Sequence, residues 1–116
     1  MRFVCACCLA LAGTAFAQTA TDRAPGALLR ALDKVSGEVV DFTLLNGGQA
    51  RMGRLVVSLG ECRYPPDNQQ GEAYAWLQVQ ETGDMVFSGW MIASSPALNA
   101  MDHPRYDVWV LRCSNS

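Results

Sequence analysis

Serine, histidine and aspartate crowd one stretch of this 116-residue chain: Ser94 and Ser95, then Asp102 and His103, then Asp107. These are the side chains of a nucleophile, a base and a group that orients the base. A triad is defined by geometry and not by closeness in sequence, and no G-x-S-x-G elbow surrounds either serine. Ser95 stands before Pro96 and the helix-favouring run Ala97 to Met101, which suits an N-cap. His103 precedes Pro104, where it can cap that turn or bond a backbone carbonyl. Hydrolysis therefore requires Ser94 or Ser95 within hydrogen-bond reach of His103. Metal chemistry is short of ligands, because His103 is the only histidine and a zinc site needs several nitrogen or sulfur donors. Asn46-Gly47-Gly48 leads into an apolar, Val-rich run, so it reads as a turn and not as a phosphate cradle. No cofactor, metal or catalytic set is expected, and the domain is read as non-enzymatic.

The five cysteines fall into two groups. Cys5, Cys7 and Cys8 lie in a segment that opens with Arg2, is apolar from Phe3 to Ala12 and ends in Ala15-Phe16-Ala17. That order is a secretory signal peptide with an A-x-A cleavage site, so residues 1–17 are expected to be removed and the remainder to be exported. The apolar run is shorter than the roughly 20 residues a bilayer requires. Cys62 and Cys113 remain, and in an oxidising compartment such a pair most simply forms one structural bridge. A redox-active pair would more usually be spaced as C-x-x-C. Closing a loop of roughly 50 residues destabilises the unfolded chain by about 4 kcal/mol in the chain-entropy account. That rivals the net stability of a small domain.

Nine Lys and Arg stand against eleven Asp and Glu. The charges are dispersed, without the basic stripe that binds phosphate backbones, so nucleic acid is not an expected partner. Residues 18–27 carry little apolar surface and read as a flexible N-terminal tail, leaving 28–116 as a single β-rich domain. Ala31 to Val35 and Glu38 to Leu44 form a hairpin through Ser36-Gly37. Met52 to Leu59 is a third strand ending near Cys62, and Tyr64 to Gly71 is a Pro-rich surface loop. Beyond it, Ala75, Leu77 and Val79 alternate with Trp76, Gln78 and Gln80. Thr82-Gly83-Asp84 turns the chain into a strand from Met85 to Ala93, and Tyr106 to Cys113 closes the domain. In that last strand Tyr106, Val108, Val110 and Arg112 oppose Asp107, Trp109, Leu111 and Cys113. The expected fold is all-β: a small barrel or sandwich of about five to seven strands with one short helical segment at Ser95 to Met101 and one disulfide.

Aromatic residues flank that helical segment, and Trp, Tyr and Met make binding hot spots where exposed. A partner-binding surface is therefore expected around the loop, formed by Trp90, Ser94, Ser95, Pro96, Leu98, Asn99, His103, Tyr106 and Trp109. A flat apolar patch would indicate docking, and a deep aromatic pocket a small ligand.

The run from Phe87-Ser88-Gly89-Trp90 through Asn99-Ala100-Met101-Asp102-His103-Pro104-Arg105-Tyr106-Asp107-Val108-Trp109 to Cys113 resembles the exported alphaproteobacterial proteins of domain-of-unknown-function family 2155. Leu32-Asp33-Lys34-Val35-Ser36-Gly37-Glu38-Val39 and Cys62-Arg63-Tyr64-Pro65-Pro66 resemble it too. The resemblance implies an accessory subunit on the periplasmic side of respiratory NADH:quinone oxidoreductase (complex I), a membrane protein complex. The alternative is a free periplasmic module that binds a small ligand or cell-envelope component.

Overall fold

Alternation of apolar and polar residues sets the phase of each strand against a shared core. The computed structural model describes residues 20–115, so the expected signal peptide lies outside the described residues. Eight strands run in order: β1 Asp22–Ala24, β2 Gly26–Asp33, β3 Val39–Leu45, β4 Gln49–Met52, β5 Leu55–Tyr64, β6 Tyr74–Glu81, β7 Asp84–Ile92 and β8 Tyr106–Ser114. A 3-10 turn, Pro96–Asn99, interrupts the crossover from β7 to β8. All pairings are antiparallel. One sheet has the order β1-β5-β6-β7, with β4 also pairing β5; the other has the order β3-β2-β8. They form a sandwich whose centre is filled by Leu29, Leu55, Val57, Leu59, Leu77, Val79, Val108 and Val110, each less than 2% exposed. In β6 the burial of Ala75, Leu77 and Val79 matches the sequence pattern.

The expected third strand is a hairpin. Met52 pairs with Leu55 across Gly53 and Arg54, and Gly53 takes φ +56°. That is the two-residue turn with glycine first, which matches the twist of paired strands. A Cβ at Gly53 would also collide with Tyr106 Oη. The β6–β7 turn instead puts both Thr82 (φ 49°) and Gly83 (φ 88°) in the left-handed region, the other favoured hairpin form.

Two strands change phase at an extra residue. Along β5, Leu55, Val57 and Leu59 are buried, and the next buried residue is Cys62. The β5–β6 register jumps between Leu59 and Glu61, leaving Gly60 as a bulge. Along β8, burial passes from Tyr106, Val108 and Val110 to Cys113, because Leu111 has no partner between Val110 and Arg112. The sequence pattern placed Cys113 on the face opposite Val110; the bulge returns it to the core and turns Arg112 out. Both cysteines thus point inward from different sheets, and they are bonded, with Cα atoms 5.7 Å apart.

Residues 22–27 are not a tail. Asp22, Arg23 and Ala24 pair with Tyr64, Arg63 and Cys62, while Gly26 and Ala27 begin β2. The missing apolar bulk is replaced by backbone pairing on the β5 edge and by burial of the small side chains Ala24 and Ala27. Adding β1 and dividing the third strand raises the count from the expected five to seven to eight.

Candidate functional site

The β7–β8 crossover, Ala93 to Arg105, has two halves held in different ways. Its first half is presented. Pro96–Asn99 contains no buried residue, and Leu98 is 74% exposed. Ser95 makes no side-chain cap, contrary to expectation; its hydroxyl lies 3.5 Å from that of Ser94. The stem is clasped by Glu72, which accepts from Ser94 N (2.9 Å), Ala73 N (3.1 Å) and the Ser94 hydroxyl. Burial opposes charge on Glu72, but these bonds outweigh it and hold the carboxyl below its ordinary range. Asn99 donates to Trp90 O (2.7 Å), tying the turn to β7.

The second half is anchored. His103 is 8% exposed, and its Nδ1 accepts from Arg105 N (3.0 Å) and Tyr106 N (3.1 Å). Two donors on Nδ1 place the ring proton on Nε2, which donates to Glu81 Oε1 at 3.1 Å. Lys34 grips the same segment twice, from Nζ to His103 O (2.6 Å) and from its backbone N to Arg105 O (2.7 Å). Arg105 donates to Asp33, with Nη2 to Oδ2 at 3.0 Å, and its guanidinium carbon lies 5.2 Å from the centre of the Tyr106 ring. Asp33 also accepts from Val35 N and Ser36 N at the β2–β3 turn. The Arg105 side-chain bond is the chief reason the Asp33 carboxyl is lowered to about 2; burial opposes it and the Ser36 and Val35 amides assist.

The expected partner surface is therefore divided. His103 and Tyr106 are buried, at 8% and 2% exposure, and act as anchors instead of contacts. Their position follows from phase: Tyr106 shares a face with Val108 and Val110. Trp90 and Trp109 are also not in one patch. Gly89 and Met91 are buried beside Trp90, so Trp90 faces out from the larger sheet, where it meets Trp76 edge to face at 5.5 Å. Val108 and Val110 are buried beside Trp109, so Trp109 faces out from the smaller sheet. There, Trp109, Val108 and Asp107 meet Pro96, Ala97 and Ala100 across an open cleft of about 320 Å³. Ala97, Ala100 and the carboxylate of Asp107 escaped the sequence-based surface, since small residues in a predicted helical turn carry no binding signal. Asp33, Lys34 and Glu81 escaped as well, although Leu32 to Val39 had already stood out for its resemblance.

Neither serine meets His103. Both ring nitrogens have other partners, and Ser94 is bonded to Glu72, so the serine–histidine pair on which hydrolysis depends is not assembled.

The architecture defines a class: a disulfide-stapled antiparallel β sandwich carrying a presented crossover between the last strands of its two sheets. Within that class, the chain belongs to domain-of-unknown-function family 2155, uncharacterized proteins conserved in bacteria, which it matches over residues 27–113. It is similar to an uncharacterized protein of Rickettsia prowazekii (strain Madrid E), at 26% identity over 88 residues, covering 72% of this chain and 57% of that protein. The chain thus spans little more than half the length of that curated relative. No solved structure matches it significantly.

Proposed function

We propose that the mature domain is a non-enzymatic periplasmic accessory subunit that docks through its β7–β8 crossover on the periplasmic face of a membrane complex. Respiratory NADH:quinone oxidoreductase (complex I) is the partner implied by the sequence resemblance. One observation carries the docking reading: an apolar tip, with Leu98 74% exposed, stands on a segment whose other half is fixed by His103, Arg105 and Lys34. A surface held in shape before association loses less conformational entropy on binding. The open form of the adjoining cleft also favours docking over enclosure of a small molecule. Affinity purification of the tagged protein from gently solubilised membranes is the test. Respiratory subunits are expected to accompany the wild type and to be depleted with Leu98→Asp; recovery of the protein without any respiratory subunit overturns the assignment.

A second reading has its own observation. Trp76 and Trp90 form an aromatic corner on the outer face of β6 and β7, with Gln78 and Ser88 paired beside them. Such a face suits the apolar sides of sugar rings in an envelope polymer. Co-sedimentation with purified peptidoglycan that is lost with Trp90→Ala and kept with Leu98→Asp would favour this reading over docking.

A further inference from the structure

β8 has a partner on one side only. Its inner edge pairs with β2, and among the described residues no strand pairs with the other edge. In an antiparallel strand, alternate residues turn their N–H and C=O groups toward the same edge. The Tyr106 to Val110 stretch therefore offers a short row of donors and acceptors there. The crossover that runs past does not take them: among the described residues its own main-chain bonds are the tight ones from Ser95 N to Ile92 O and from Leu98 N to Ser95 O, Ala93 N is bonded to Ala73 O, and Arg105 O is bonded to Lys34 N. Beside this edge lies the apolar cleft, and Asp107 is the single charged residue lining it. Among the described residues the Asp107 carboxylate has no ion pair and no hydrogen bond.

We propose that the free edge of β8 is a strand-addition site that takes an extended segment of a partner polypeptide, with an apolar side chain against Trp109 and Pro96 and a lysine or arginine facing Asp107. The backbone edge supplies affinity that is blind to sequence, and the cleft and carboxylate supply the choice. The charge selects a foreign segment over a second copy of this chain. Two β8 edges meeting about a two-fold axis would present the same acidic cleft to each other and would bring both crossovers into one interface. The inference deepens the docking reading and rests on it for the existence of a partner, while naming how and by what chemistry that partner is held.

The test uses the whole mature chain, ¹⁵N-labelled, and three blocked nine-residue probes. One carries valine and lysine in turn at every second position, with threonine between them, so that both kinds of side chain fall on the face that meets Trp109 and Asp107; one replaces its lysines with glutamate; and one is the valine–lysine peptide N-methylated at every amide, so that neither of its edges can donate. The valine–lysine peptide is expected to shift the amides of residues 97–100 and 106–110, leave Trp76 and Trp90 unmoved, and slow exchange of β8 amides. The glutamate peptide should bind at least about threefold more weakly, as an exposed charge pair allows, and N-methylation should abolish binding. Asp107→Lys should reverse the preference between the two charged peptides, and Ala100→Trp, which fills the cleft from an exposed loop position, should remove binding of both. Shifts at the tryptophan corner, binding that survives N-methylation, or concentration-dependent dimerisation mapped to β8 would each overturn the proposal. Its failure is separable from that of the docking reading. If wild type recovers a membrane complex and Ala100→Trp recovers it equally, strand addition falls and docking stands. If no complex is recovered while the peptides bind β8 as described, the docking reading falls and the site stands.

Discussion

The two halves of the β7–β8 crossover have similar lengths, yet the fold treats them in opposite ways. From Ser94 to Ala100 the segment projects, held at its stem by Glu72 and at its turn by Asn99. From Met101 to Tyr106 it is sewn down, with Met101, His103 and Tyr106 buried and three charged side chains, Asp33, Lys34 and Glu81, spent on fixing it. What separates the halves is phase and proximity: Tyr106 opens a strand whose alternation is already committed to the core, and the β2–β3 turn stands next to it. The difference teaches that His103 and Arg105, side chains that could do chemistry, serve as foundations, while Leu98, which could not, faces the solvent.

The comparison can be broken in several places. The largest expected effect follows removal of the link that holds β8 against β5. With the bonded cysteines 51 positions apart in sequence, Cys62→Ser combined with Cys113→Ser should cost about 4 kcal/mol, measured by urea unfolding. Truncation within the anchored half comes next: Tyr106→Ala removes a core ring and should cost about 3 kcal/mol. In the presented half, Leu98→Ala should change stability by less than about 0.5 kcal/mol. Equal losses at Tyr106 and Leu98 would erase the distinction between the halves.

A pH series sharpens the same contrast through the Asp33–Arg105 pair. The folded carboxyl of Asp33 lies at about 2 against an ordinary 3.8. A depressed folded value means that the pair's contribution is complete above the unfolded value and is lost as pH falls from near 3.8 to about 2. Asp33→Asn keeps an acceptor for the Val35 and Ser36 amides and removes the charge. Thermal melts from pH 5 to pH 2 should therefore show the wild type losing its advantage over Asp33→Asn across that window. A gap that stays constant with pH would deny the ion pair its role. The smallest expected effect belongs to Arg30→Gln, which breaks the exposed pair with Asp41 (2.7 Å) on the outer face of the smaller sheet; chemical denaturation should register no more than about 1 kcal/mol.

Much of the sandwich was legible because it rests on local rules. The hairpin through Ser36-Gly37, the turn at Thr82-Gly83, the faces of β6 and the bonded pair of cysteines all follow from alternation, turn chemistry and the simplest pairing of two cysteines. What escaped was decided by contacts distant in sequence. β1 is a strand because β5 offers an edge to Asp22, Arg23 and Ala24, which nothing in those residues announces. Gly53 hid a hairpin because Met52 to Leu59 reads as one apolar run. Leu111 is an ordinary strand residue, and only its lack of a partner opposite β2 makes it a bulge. For the site, residue type misled where phase would have served. Tyr106 was counted as an aromatic contact although it alternates with Val108 and Val110, while β7, with a register shift at Val86, gave too weak an alternation to show which way Trp90 faces.

The two bulges carry a consequence for how the chain matures. Had β5 and β8 alternated regularly through Gly60 and Leu111, Cys62 and Cys113 would each face the outside of its sheet, and the side-chain period of two makes any one-residue slip do the same. The thiols can meet only when both strands have adopted their irregular register, so oxidation acts as proofreading. A molecule that carries the bond has passed inspection of both sheets at once, and one that still reacts with a thiol label has not.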